Sequence, residues 1–169
     1  MVMVTSQELK NEVEIYIKTT KVKYTETTSQ MQKKIQDIDW QFLIGQALHI
    51  TKLKSRDDRI LFTYPIGFGK NKDEFNKIVQ TDPEFINNLN ELIMLKGCSH
   101  KWVMKDKKIE ALEINTYIDV EELNRPNFFK TWEAISSVSI HVGRKVGIKM
   151  NPQSIKPTDL DTSDKSMYG

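Results

Sequence analysis

The sequence predicts an α+β protein: a twisted antiparallel sheet of about five strands, with helices packed mainly over one face. Three observations predict it. Between Asp37 and Ile66, apolar residues recur at every second position: Trp40, Phe42 and Ile44; then Leu48 and Ile50; then Ile60, Phe62, Tyr64 and Ile66. That alternation marks three short strands with one buried and one wet face, a β-meander. A second period-two unit, KWVMKDKK followed by IEALEINTYID, forms a hairpin turning at Asp106-Lys107-Lys108. After it, Phe128, Trp132, Ile135, Ser139, Val142 and Val146 step by fours and threes, flanked by Phe129 and Val138, a stripe wide enough to cover a sheet.

The remaining elements follow in order. Thr5-Ser6-Gln7-Glu8 reads as a capping box, in which Thr5 and Glu8 each satisfy an amide at a helix start. Leu9, Val13, Tyr16 and Ile17 then share one helical face. The Thr-rich stretch after Thr19 disfavours helix, and KVKYT within it suits a short edge strand. In the meander, Gly45-Gln46 turns the first pair of strands and the polar run Lys54–Arg59 turns the second. Gly67–Asn71 ends the third strand. A short helix from about Lys72 to Gln80 follows, and Asp82-Pro83 restarts a second that stops at Gly97. Asn124 caps the last helix, with Pro126 in its first turn, and Gly143 and Gly147 weaken its end. Residues 5–150 make one domain. Residues 151–169 hold two prolines among Ser, Thr and Asp and are expected to form a disordered tail.

Composition narrows the function. A chain of 169 residues suits one domain with its own core. A formal net charge of +2 does not announce nucleic acid or an anionic membrane. A single cysteine, Cys98, forbids an internal disulfide and fits a reducing compartment. No segment approaches the roughly 20 apolar residues of a membrane span. The expected setting is therefore cytoplasmic, with no membrane partner.

The order helix, three-strand meander, helix, two-strand hairpin, long helix carries a resemblance. Its telling segments are DIDWQFLIG entering the meander, RILFTYPIGF leaving it, and TYIDVEELNRPNFFKTWEAI joining the last strand to the last helix. Over roughly residues 5–150 this order resembles the type III secretion chaperone-like fold, which small bacterial secretion chaperones share with sensory-regulator-like proteins and uncharacterised archaeal families. The resemblance implies architecture. Through the secretion chaperones it also implies a dimer that holds an extended segment of a partner protein.

Local motifs for chemistry are weak. Gly67-Phe68-Gly69-Lys70-Asn71 lies between a strand and a helix, where phosphate-binding loops occur. Its glycines are too close for a P-loop, and Asn71 stands where a hydroxyl would bind Mg²⁺. Cys98-Ser99-His100 pairs a thiol with an imidazole but lacks an orienting third group. His49, His100 and His141 are scattered and show no zinc-like spacing. The pairs Asp57-Asp58 and Glu121-Glu122 fit turn and helix-start chemistry, and Asp119 at a strand end suits hydrogen bonds to junction amides. No catalytic, cofactor or metal residue is therefore assigned. The expected function is a non-enzymatic protein-binding module, chaperone-like or regulatory, acting as a homodimer. Phe68, Lys101, Trp102 and Lys105 are the residues assigned to partner contact. The second reading is a nucleic-acid-associated regulator that uses the lysine-bearing hairpin around 101–108.

Overall fold

The structure is a computed structural model that describes residues 4–27 and 37–152. Among these residues the chain forms four α-helices and six strands, an α+β architecture. Helix α1 (Ser6–Thr19) opens with the expected box: the Thr5 amide donates to Glu8 Oε2 at 2.7 Å, and the Glu8 amide donates to Thr5 Oγ1 at 3.2 Å. The meander is β2 (Ile38–Ile44), β3 (Leu48–Leu53) and β4 (Arg56–Gly67). The sixth strand is β1 (Tyr24–Glu26), the short edge strand anticipated in KVKYT, antiparallel to β2. Helices α2 (Lys72–Thr81) and α3 (Pro83–Leu95) lead into β5 (Ser99–Lys105) and β6 (Lys108–Asp119). A 3₁₀ turn at Val120–Glu122 then precedes α4 (Arg125–Met150).

The sheet order is β1-β2-β3-β4-β6-β5, antiparallel throughout. The meander and the hairpin are joined by one seam, β4 against β6, from Arg59↔Asp119 to Gly67↔Ala111. Trp40, Phe42, Ile50, Ile60, Phe62, Leu112, Ile114 and Ile118 point to one face, and all four helices pack their buried residues into the same cluster. Phe128 on α4 stands at its centre, in ring contact with Tyr16 of α1 and Phe62 of β4. Trp40 Nε1 donates to Ser6 Oγ at 3.1 Å, which ties α1 to β2. Ser6 Oγ in turn donates to the Asp39 carboxylate.

One expectation is corrected. The polar run 54–59 is not all turn. Only Lys54 and Ser55 turn, and β4 already begins at Arg56, because Arg59 finds a cross-strand partner in Asp119 of β6. Gly143 and Gly147, which weaken the last turns of α4, lie within it. Val142 and Val146 are buried on the core, and Lys149 forms an ion pair with Asp82 ahead of α3, so α4 continues to Met150. Left-handed backbone occurs at Asp106 (φ 50°) and Lys107 (φ 63°), which lets two residues close the β5–β6 hairpin. The expected tail at 151–169 falls, past Pro152, outside the described residues.

Candidate functional site

The residues assigned to partner contact do not converge. Phe68 is 4% exposed: its ring stacks on Phe75 of α2 with centroids 3.9 Å apart, and its amide donates to the Glu110 carbonyl. The loop at Gly67–Asn71 is therefore drawn inward by an aromatic pair, with Gly69 at φ +51° allowing the bend. Phe68 is a core residue and presents no contact surface. Lys101 and Trp102 are consecutive in β5 and so face opposite sides of the sheet. Trp102 is half-buried on the helix face against Phe75, whereas Lys101 lies on the other face, in register with Glu113. Lys105 is exposed at the hairpin tip. Nearby lysines are engaged: Lys108 Nζ lies 2.7 Å from Asp73 and Lys72 Nζ lies 3.3 Å from Glu110. In the hairpin Trp102 thus lies on the face opposite Lys101, and Lys108 is paired, whereas Lys101, Lys105 and Lys107 form no ion pair among the described residues.

The thiol of Cys98 is buried, and burial pushes its pKa up, away from the thiolate. Its neighbour His100 packs edge-on to Trp102. Among the described residues, no three His, Cys, Asp or Glu side chains are grouped to hold a metal ion.

The face of the sheet turned away from the helices is the first surface of interest. Leu43, His49, Thr63 and Asn115 lie in one cross-strand row; Gln41, Thr51, Leu61 and Tyr117 lie in the next. Side-chain hydrogen bonds order these rows. Thr27 donates to Gln41 at 2.9 Å, Gln41 donates to Thr51 at 2.8 Å, and Thr63 donates to Asn115 at 2.8 Å. Although none of the described helices covers it, Thr51 is only 4% exposed. Leu53, Arg56, Arg59, Leu61 and Tyr117 rise around it as the walls of a hollow of about 250 Å³. The Arg59 guanidinium stands 4.4 Å from the centre of the Tyr117 ring, a cation–π contact that holds one wall upright.

His49 provides a pH-dependent marker of this face. Burial holds its imidazole below the ordinary 6.5, partly opposed by the charge of Glu113. The unfolded chain therefore takes the proton more readily. The contribution of His49 is complete above about pH 6.5 and is lost as pH falls through the lower folded value. Unfolding free energy is expected to decline from pH 7 towards pH 5 more steeply in the parent than in His49→Gln. Parallel curves in urea titrations across that range would refute the assignment.

A second feature lies at the C-terminal end of β6. Asp57 and Asp58 at the start of β4 meet Asp119, Glu121 and Glu122 around a recess of about 530 Å³. The two carboxylate pairs visible in the sequence are thus brought together by the β4–β6 register. Arg59 neutralises its neighbour Asp58 at 2.7 Å, which lowers the pKa of that carboxyl group. Beside the recess, a groove of about 620 Å³ runs between β6 and the flank of α4.

Comparison with known proteins identifies architecture alone. The fold is similar to the crystal structure of an uncharacterized protein from Methanothermobacter thermautotrophicus. The TM-score is 0.68 at 10% sequence identity, covering 86% of this chain and 99% of that one. No family model matches, and no curated protein is matched in sequence. No helix among the described residues is long and apolar enough to cross a membrane.

Proposed function

We propose that the chain is a non-enzymatic protein-binding module, chaperone-like or regulatory, that works as a homodimer. The uncovered sheet face is its contact surface, and a second copy of the chain is its first partner there. The observation that carries this reading is the walled hollow over Thr51: a sheet face that none of the described helices covers, yet on which a threonine is screened from solvent. Half-buried Leu43, Leu53, Leu61 and Pro65 give the face apolar area, and the side-chain hydrogen bonds hold it in one shape before any partner arrives. Lys101 and Arg59 stand on the same face as Glu113, so a second copy meets mixed charge and not a uniform repulsive field. The resemblance to secretion chaperones agrees with such a dimer.

Light scattering at micromolar concentration is expected to give twice the chain mass. The Leu61→Asp variant, which sets a charge in the middle of the face, is expected to scatter as a monomer with its helical circular dichroism intact. A parent protein that is already monomeric would overturn the homodimer. A dimer unaffected by Leu61→Asp would move the contact to another surface.

A further inference from the structure

The strands β5 and β6 end out of step. Their pairing stops at Ser99↔Asn115, while β6 continues to Asp119. The chain preceding Ser99 turns away at Gly97, whose amide is spent on the Met94 carbonyl at the end of α3. Over its last four residues, 116–119, β6 is therefore paired with β4 on one side and, among the described residues, with no strand on the other. The direction of its backbone groups follows from the ladder. The Phe68 amide reaches the Glu110 carbonyl on the β4 side, and Ser99 Oγ reaches the Asn115 carbonyl on the β5 side. By alternation, the amide and carbonyl of Tyr117, and the amide of Asp119, point into the open position.

That position is a slot. The groove of about 620 Å³ has this edge as one wall and Asn127, Lys130, Thr131 and Ala134 of α4 as the other, with Gly97 closing one end. Apart from Lys130, the α4 wall consists of short side chains, which leaves room for one extended backbone. At its other end the groove opens into the acidic recess, since Asp119 and Glu122 line both. The carboxylates of Asp57, Asp58, Asp119, Glu121 and Glu122 there outnumber the cations of Arg56, Arg59 and Lys130.

From this geometry we infer that the groove takes a short extended segment of a protein, added as a strand beside Tyr117–Asp119 and flanked by lysine or arginine that reaches the acidic recess. Main-chain bonds to the free edge give affinity with little dependence on sequence, and the carboxylates select basic flanks. The same edge of a second copy does not fit there. It is recessed beside its own α4, so two such edges cannot pair without the helices colliding.

The inference rests on the binding-module reading but uses a different surface, so the two fail separately: Leu61→Asp leaves the groove intact, and Ala134→Trp leaves the sheet face intact. The test uses two fluorescent dodecapeptides on the full chain, each with a central Thr-Val repeat, one flanked by lysines and the other by glutamates. The lysine peptide is expected to bind at least tenfold more tightly in anisotropy titrations and to shift the amide resonances of Tyr117 and Asp119. N-methylation of alternate central residues, which removes main-chain donors without changing charge, is expected to weaken it about tenfold. Ala134→Trp, which fills the slot, should do the same, and Asp119→Asn with Glu122→Gln should erase the preference for lysine. Failure of both peptides to bind, equal binding of the N-methylated peptide, or resonance shifts confined to the Leu43–Leu61 face would each overturn the inference.

Discussion

Replacing Phe128 with alanine is expected to destabilise the fold by about 3–5 kcal/mol, the range for deleting a buried phenyl ring. The residue is 0% exposed, and its ring lies 5.2 Å from Tyr16, 5.5 Å from Phe62, 5.4 Å from Phe129 and 5.9 Å from Trp132. These four neighbours come from α1, from the sheet and from α4 itself, so no single element can move in to fill the space. The cavity term should therefore add fully to the lost transfer energy. Urea denaturation is the measurement: the midpoint should fall while the slope stays unchanged. Ile140→Ala on the same helix, at a side chain 51% exposed, is the control and should change stability by less than about 0.5 kcal/mol. A Phe128→Ala loss no larger than that of the control would show that α4 does not seal the sheet.

Asn76→Ala should produce the second large effect, about 1–3 kcal/mol, from a side chain that sequence patterning passes over. Asn76 sits on the inner flank of α2. Its Oδ1 accepts from the Ile109 amide at 2.9 Å, and its Nδ2 donates to the Ile109 carbonyl at 2.9 Å. The side-chain amide thus serves both backbone groups of one strand residue. It does so beside the β5–β6 irregularity, where register shifts between Val103 and Met104 and the ladder misses a step. Ile109 is 8% exposed, so water cannot readily replace the lost partner. Asn76→Asp keeps the acceptor and loses the donor, and it should fall between the parent and alanine. Hydrogen exchange at the Ile109 amide separates this local role from a general loss of stability. Exchange there should accelerate in Asn76→Ala even under strongly native conditions, and unchanged protection would contradict the account.

The elements were largely readable because each wrote its period into the chain. Strict alternation around Trp40, Phe42 and Ile44 could suit only a half-buried strand, and the Phe128–Val146 stripe only a helix laid over a sheet. Single-residue surfaces were not readable in the same way. Phe68 is assigned to partner contact because nothing local announces that Phe75, on the next helix, will stack on it. The acidic recess was visible only as separate pairs, since Asp57-Asp58 and Asp119 become neighbours through a register that connects distant strands. The groove beside β6 depends on a difference in strand ends, Ser99 against Asp119, and ends are what pattern reading places least well. Arg59 shows the same limit. In sequence it belongs to a polar turn, yet opposite Asp119 it becomes a strand residue.

The β4–β6 seam has a further consequence for how the chain reaches this fold. Among the described residues every other strand pair joins neighbours in sequence, whereas the seam joins residues 44 apart at Gly67–Ala111 and 60 apart at Arg59–Asp119. The meander and the β5–β6 hairpin can each form from local contacts, but the core that needs both cannot close until this long loop does. The intervening α2 and α3 shorten the search by compacting the loop. The zipping of this single central pair is therefore the expected slow step in folding. Until it is complete, the Ile60–Phe62 edge of one half and the Leu112–Ile114 edge of the other are open together, and at high concentration each can find its complement on a different molecule.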